Sequence, residues 1–422
     1  MNQKNKQSAF SSTIIFILSG VIALVIACVG YLFYKASLFT QLLDQPIPYV
    51  PDEKLDSVLR RYTEEEKHKE ILLIYGPPGV GKTRGILEFS QKYRKEGNLV
   101  IDFDLITYSN YATEKDLIDH ICTAIIQAFR EIDGTPFKAA ALKDILDRVA
   151  STTSFIATNK IGKHYFLGLI RDPLLQRAAS YLISAVETST EKGANLKAAT
   201  LYEALETLNE ALHSLIVIHE PYKLYQTEDC KNYCVETTQF FSKLFASSER
   251  AFTTGVVFDV ANQTKLPLFH KQGIRFVRVL EFSQETGSNA LYNIFRAPQF
   301  KTIYQTFGGI GLYFARVNEL LLSGYTLIEA QKLLLDDIKY KVTKVINTAE
   351  DQKAMKEVLK TLVQKDPKNS NAPDKIRESL LAEGLFYYSN DSLDTLMPSS
   401  TAVVTAITDV LKISKKTAAK AK

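Results

Sequence analysis

Apolar positions along the chain fall into three patterns. Near the start, residues 13–34 ("TIIFILSGVIALVIACVGYLFY") run for 22 positions without a charge. Further on, short apolar runs of strand length recur: "ILLIY" (71–75), "NLVIDFDLI" (98–106), "LIVIH" (215–219), "GVVFDVANQ" (255–263) and "IRFVRVLEF" (274–282). Around them apolar residues return at helical spacing, as in "RGILEFSQKY" (84–93), 113–132 and "ATLYEALETLNEALH" (199–213). Helices alternating with buried strands predict an α/β fold: a parallel sheet of five strands with helices on both faces. The stretch 137–207 is helical by pattern and longer than a minimal crossover, which suggests an insertion used for contacts.

The first apolar run is long enough, at about 1.5 Å per residue, to cross a hydrocarbon core of about 30 Å. It predicts one transmembrane helix. "LVIAC" loosely resembles a lipoprotein cleavage site, but the apolar run continues past Cys28, which argues against cleavage there. Lys4 and Lys6 outweigh Lys35 in the flanks, so the positive-inside rule keeps the short tail inside.

The most specific motif follows the first short strand. "GPPGVGKT" (76–83) sits between an apolar strand and a helix-patterned segment. The pattern G-x-x-x-x-G-K-[ST] lets backbone N–H groups turn inward around phosphate oxygens at the positive end of a helix. Gly76, Pro77, Pro78, Gly79, Val80 and Gly81 form that loop, and Arg84 adjoins it. Lys82 is placed to reach the β and γ phosphates, and Thr83 to put its hydroxyl on magnesium. ATP with Mg2+ is the expected ligand, which requires this region to face the cytosol or an ATP-containing organelle interior; this conflicts with the small charge difference in the flanks and outweighs it.

A second polar site is expected where a later buried strand ends. "LIVIHEP" ends in His219-Glu220, where two carboxylates would hold magnesium and polarise an attacking water. Glu220 suits the second role. His219 at the metal position brings no negative charge, so binding should survive better than hydrolysis. Asp259 in "GVVFDVANQ" is a competing place for the acidic motif; the preferred reading makes that run the next strand, with Asn262 as a γ-phosphate sensor. Asp102 and Asp104 alternate with apolar residues and read as structural.

Together, "GPPGVGKT", "LIVIHEP", "GVVFDVANQ", "RFVRVLEFS" and "FGGIGLYFARVNELL" resemble the AAA-type P-loop ATPases, and most closely the signal-transduction ATPases with numerous domains and archaeal-type ATPases. The resemblance implies a nucleotide domain, a helical lid and a C-terminal winged-helix domain acting as a nucleotide-dependent switch or scaffold. The resemblance spans about 48–411 and, with the apolar run, divides the chain into a tail (1–12), transmembrane helix (13–34), linker (35–47), ATPase core (48–283), lid (284–348), winged-helix region (349–411) and basic tail (412–422). Gly308 and Gly309 match the glycine pair at the family's lid entrance. The chain departs from the pattern at Gly311, where a proline is usual, at His219, and in lacking a "GRE"-like box. No arginine finger is evident in "ANQTKLPLFHKQG", so a hexameric motor is unsupported; Arg275 and Arg278 read as alternating surface charges.

Charge narrows the partners. The net charge is +4, and residues 349–411 hold seven Lys/Arg against ten Asp/Glu, a net of −3. A surface that reads nucleic acid is normally basic, so a protein partner is the better expectation. Five lysines in "KISKKTAAKAK" read as a solvated end. Four cysteines do not make a disulfide framework, and Cys230 and Cys234 lack the companions of a zinc site. No His-Glu-x-x-His protease motif is present. The alternatives are a non-hydrolysing nucleotide-bound tether and a membrane-tethered nucleic-acid regulator.

Overall fold

A computed structural model describes residues 47–65, 70–104, 124–125, 127–128, 173–187, 200, 203–205, 207, 214–222, 255–269, 273–363, 372–389 and 393–413. The apolar run 13–34, the four cysteines, most of 137–207 and residues 414–422 lie outside that set. Among the described residues no helix is long and apolar enough to cross a membrane.

The five short runs form one parallel sheet. Its strands are β1 (Ile71–Tyr75), β2 (Leu99–Asp104), β3 (Ser214–His219), β4 (Gly255–Asp259) and β5 (Ile274–Arg278), in the order β2-β3-β4-β1-β5. Every residue of β1, β3 and β4 is buried, as expected of strands covered on both faces. Two elements precede and follow β1: helix α1 (Glu53–Thr63) and helix α2 (Lys82–Lys95). Asp52 caps α1 by accepting from the Lys54 and Leu55 N–H groups at 3.0 Å, a contribution of about 1 kcal/mol.

Side-chain alternation sorts the core into two layers. Leu72, Ile74, Val100, Leu215, Val217 and Val257 pack with apolar residues of α1 and α2. Their strand neighbours Leu73, Ile101, Ile216, Ile218 and Phe258 face the other way, into a larger cluster shared with α3 (Pro173–Glu187) and the C-terminal helices. Tyr62 ties α1 across the sheet: its hydroxyl donates to the Glu70 carbonyl at 2.7 Å and accepts from Val256 N–H at 3.0 Å.

Two strands end earlier than hydrophobicity suggests, because their backbone finds other partners. Val279 N–H still bonds Tyr75, but Phe282 N–H turns to the Gly309 carbonyl at 3.1 Å. Gly309 allows that approach, since a Cβ there would collide with the Phe282 carbonyl. After β4, a 3-10 helix (Gln263–Phe269) takes over the chain.

Beyond the sheet come α4 (Gln284–Leu291), α5 (Ala297–Phe307), α6 (Gly311–Leu322) and α7 (Leu327–Thr348). Phe282, Phe300 and Phe314 pack ring to ring at 5.1–5.3 Å from Phe314 and hold this helical unit on the sheet exit. α7 starts in a capping box between Thr326 and Glu329. The C-terminal module consists of α8 (Gln352–Val363), α9 (Asp374–Ala382), an antiparallel pair β6 (Phe386–Tyr388) and β7 (Leu396–Pro398), and α10 (Thr401–Val410). It is joined to α7 by apolar packing and by Lys339–Asp409 (2.9 Å) and Lys344–Glu383 (2.6 Å).

Candidate functional site

The glycine-rich loop leaves β1 at the carboxyl edge of the sheet and enters the N-terminus of α2, where free N–H groups and the helix dipole favour an anion. Gly79 has φ +79°, and a Cβ there would sit 2.5 Å from Leu312 Cβ, so this position requires glycine twice over. Lys82 is almost wholly buried, at 5% exposure. Its Nζ donates to the Gly76 and Pro77 carbonyls, both at 3.1 Å. Burial pushes its ammonium below the ordinary lysine range, opposed by the charges of Asp259 and Glu220.

A cleft of about 400 Å³ opens beside the loop, bounded by Tyr49, the loop itself, Arg84 and Leu312 of α6. Arg84 stands at its rim and donates to the Ile47 carbonyl at 2.7 Å. Leu312 N–H donates to the Gly79 carbonyl at 3.0 Å, so α6 bonds the loop directly.

The acidic side of the site is built by strand register. β3 and β4 align His219 with Asp259, and β2 and β3 align Asp104 with His219. Asp102, Asp104, His219 and Asp259 therefore share the sheet face that α2 covers. The Thr83 hydroxyl donates to Asp259 Oδ2 at 2.6 Å, and His219 Nδ1 donates to the same oxygen at 2.9 Å. His219 Nε2 lies 4.0 Å from Asp102 Oδ1, and Asp102 is also paired with Arg94. Burial opposes the imidazolium, but the Asp259 hydrogen bond and the charges of Asp259, Asp102 and Asp104 hold the His219 pKa above the ordinary range.

Glu220 follows in the left-handed region, φ 55°, which a non-glycine residue adopts at a cost of about 1–3 kcal/mol. Its N–H donates to the Asp259 carbonyl at 2.9 Å, and its Oε1 accepts from Ala261 N–H at 3.1 Å. These bonds hold the carboxylate over the end of β4. Oε2 is buried without a hydrogen-bond partner, as is Asp259 Oδ1. Burial raises the Glu220 pKa, partly offset by the Ala261 N–H bond.

Asn262 sits at the end of this turn, where its side-chain carbonyl accepts from Thr264 N–H at 3.1 Å and the Thr264 hydroxyl at 2.8 Å. The next residue reaches the loop. Gln263, 1% exposed, donates through Nε2 to the Gly76 carbonyl, while its Oε1 accepts from Tyr388 N–H of β6 at 3.1 Å. Sequence reasoning missed Gln263; a glutamine before an apolar 3-10 turn carries no motif. Asp102, which the sequence reads as structural, is paired with Arg94 and reaches within 4.0 Å of His219 Nε2.

The residues fit a nucleotide with magnesium. Backbone N–H groups and Lys82 suit the phosphates, and Thr83 with Asp259 presents a hydroxyl and a carboxylate with one unpartnered buried oxygen. Among the described residues no three His, Cys, Asp or Glu side chains group to hold a metal by themselves. Magnesium requires fewer, since it is carried by one or two carboxylates, phosphate oxygens and water.

No known protein family matches the chain in sequence, and no curated protein matches it. Among solved structures it is similar to the Walker-type ATPase PABY2304 of Pyrococcus abyssi, at 15% identity and TM-score 0.47, over 84% of this chain and 95% of that one. It is also similar to the ORC2 protein of Aeropyrum pernix, solved in ADPNP-ADP complexes, at 11% identity and TM-score 0.38, over 85% of this chain and 92% of that one. The strand order β2-β3-β4-β1-β5, with the phosphate loop between β1 and α2, is what makes this chain an α/β protein of the P-loop nucleotide-binding fold.

Proposed function

We propose that the chain is a membrane-anchored ATP-binding switch of the AAA-like P-loop type, with weak hydrolysis. The observation that carries this reading is the bonding of the phosphate loop to both distal parts, directly to one and through one side chain to the other. Gly79 accepts from Leu312 of the helical lid, and Gly76 is linked through Gln263 to Tyr388 of the C-terminal module. A ligand shifts a two-state protein only by its difference in affinity for the two states. Phosphate oxygens compete with the Gly76 and Pro77 carbonyls for Lys82, so binding rearranges the loop that both modules touch.

In this reading Lys82 and the loop N–H groups hold the phosphates, and Thr83 faces the cation. Magnesium, when bound with ATP, neutralises phosphate charge. Glu220 is the residue placed to orient water, through the oxygen left unpartnered. His219 takes the place where a carboxylate is usual, which favours holding nucleotide over hydrolysing it.

The C-terminal order of helix, helix, hairpin and helix supports reading that region as winged-helix-like, and its net charge of −3 favours a protein partner over nucleic acid. Residues 13–34 supply the membrane anchor, with the ATPase region on an ATP-containing side. Resistance of the full chain to alkaline extraction from membranes supports the anchor, and release into the wash contradicts it. No arginine finger is evident, so turnover in a ring is not part of this reading.

Magnesium-dependent phosphate release by the full chain tests the enzyme side, with Lys82→Ala as blank and Glu220→Gln beside wild type. Slow turnover lost in both variants makes Glu220 catalytic and the switch a timer. Binding without release above the blank leaves a nucleotide-held tether, the alternative that His219 favours.

A further inference from the structure

We propose that the carboxylate anchoring the cation has moved from the end of β3 to the end of β4: Asp259 takes this role, and His219 positions it. The inference rests on the ATP-binding reading above. It starts from the inventory of a threonine hydroxyl, which has one proton to donate and two lone pairs. The Thr83 proton goes to Asp259 Oδ2 at 2.6 Å, so the part of the hydroxyl left for the cleft is its lone pairs. A hydroxyl held in this way can accept a cation without giving up its hydrogen bond.

Asp259 is 3% exposed, and its Oδ1 has no hydrogen-bond partner. Burying such an oxygen is costly unless something pairs with it. A purely structural carboxylate placed only to neutralise His219 would more economically pair both oxygens. The two cations nearby are already engaged, Arg94 with Asp102 and Lys82 with the Gly76 and Pro77 carbonyls, while Asp102 Oδ1 and Glu220 Oε2 are buried and unpartnered like Asp259 Oδ1.

His219 fits the supporting part. Its Nδ1 donates to Asp259 Oδ2, the oxygen that also takes the Thr83 proton. The two donors fix the carboxylate plane and leave Oδ1 free. Support of this kind orients a metal-binding group without touching the metal. Direct register pairing of His219 with Asp259 makes the exchange possible, because the ends of β3 and β4 are neighbours on the same face.

The experiment is ATP affinity of the full chain by calorimetry, with Mg2+ and with chelator, for wild type, Asp259→Asn and His219→Ala. Wild type is expected to bind ATP more tightly with Mg2+. Asp259→Asn is expected to lose that enhancement by about tenfold or more, the scale of a lost charged contact, while binding in chelator is kept. His219→Ala should lose part of it. The double variant His219→Asp/Asp259→Asn, which returns the carboxylate to β3, should restore it.

An Asp259→Asn protein that folds, by circular dichroism, and keeps the full Mg2+ enhancement overturns the proposal. Loss of the enhancement in His219→Ala alone does the same. Loss of binding in chelator as well as in Mg2+ makes Asp259 a fold or phosphate residue and also overturns it. If Asp259→Asn does not fold, Mn2+ is substituted in the wild-type ATP complex with 13C-labelled aspartate. Hyperfine coupling to a carboxylate carbon supports the proposal, and its absence overturns it. A wild-type chain that binds no ATP under either condition removes the nucleotide reading itself, a failure distinct from all of these.

Discussion

The phosphate loop and the polar cluster beside it are built by different means. The phosphate side is eight consecutive residues whose backbone does the work, with one lysine folded onto its own loop. The polar cluster takes Thr83 from α2, Asp102 from β2, His219 from the end of β3 with Glu220 just after it, and Asp259 from β4. The first is set mainly by local conformation, with outside ties at Gly76 and Gly79. The second exists only if three strands pair in one register, and each member is held by another. Substitutions should therefore act on ligand affinity at the first, and on coupling between residues at the second.

The largest effect is expected at Lys82. Removing its ammonium with Lys82→Ala should weaken ATP binding by about a hundredfold, at the upper end for a hydrogen bond to a charged group, with little loss of folding. Calorimetry with ATP reads the first and a thermal melt the second. Because burial lowers the lysine pKa, removing the charge should offset part of the loss of its bonds to Gly76 and Pro77, so the alanine chain should melt close to wild type.

Gly79→Ala tests whether the loop can be altered without moving α6. The positive φ and the closeness of Leu312 predict a loss of about 1–3 kcal/mol in unfolding free energy by denaturant titration. Gly311→Ala is the contrasting case. A Cβ there meets only the Gly79 carbonyl at 3.6 Å, so the same measurement should show no loss and a gain of up to about 1 kcal/mol.

Gln263→Leu sharpens the contrast in another way, because it leaves the loop and the polar cluster in place and removes the bridge from Gly76 to Tyr388. The Tyr388 N–H then lacks its acceptor, at a cost of about 1–3 kcal/mol. Faster hydrogen exchange at 386–388, with ATP affinity changed less than tenfold, is the expected pair of results.

The smallest effect is at Glu281, which accepts from Gly309 N–H at 3.0 Å between α5 and α6. Burial raises its folded pKa above the unfolded value near 4.5. Its contribution to stability is therefore fully present below that value and is lost as pH rises through the folded pKa. Glu281→Gln keeps an acceptor for Gly309 without the charge, so melts should show it equal to wild type near pH 4 and slightly more stable at pH 7.

How much of this was legible in the sequence follows the same division. The strands, their order along the chain and the phosphate loop could be read because each is contiguous, with its own hydrophobic or glycine pattern. The side-by-side placing of His219 and Asp259, 40 residues apart, could not, because it is a property of sheet order. The sequence offered Asp259 as a rival to the 219–220 pair, whereas the fold brings the two together. Gln263 was hidden for a related reason: its partners, Gly76 and Tyr388, are distant in the chain. The early ends of β4 and β5 depend on backbone bonds to the 3-10 turn and to Gly309, which hydrophobicity does not register.

The central claim is that nucleotide at the phosphate loop alters how the C-terminal module is held. Hydrogen–deuterium exchange at 386–388 of the full chain, with and without saturating ATP and Mg2+, tests it most directly, with Lys82→Ala as control. The account predicts a change in protection at Tyr388 in wild type and none in the variant. Identical protection with and without bound nucleotide would contradict it.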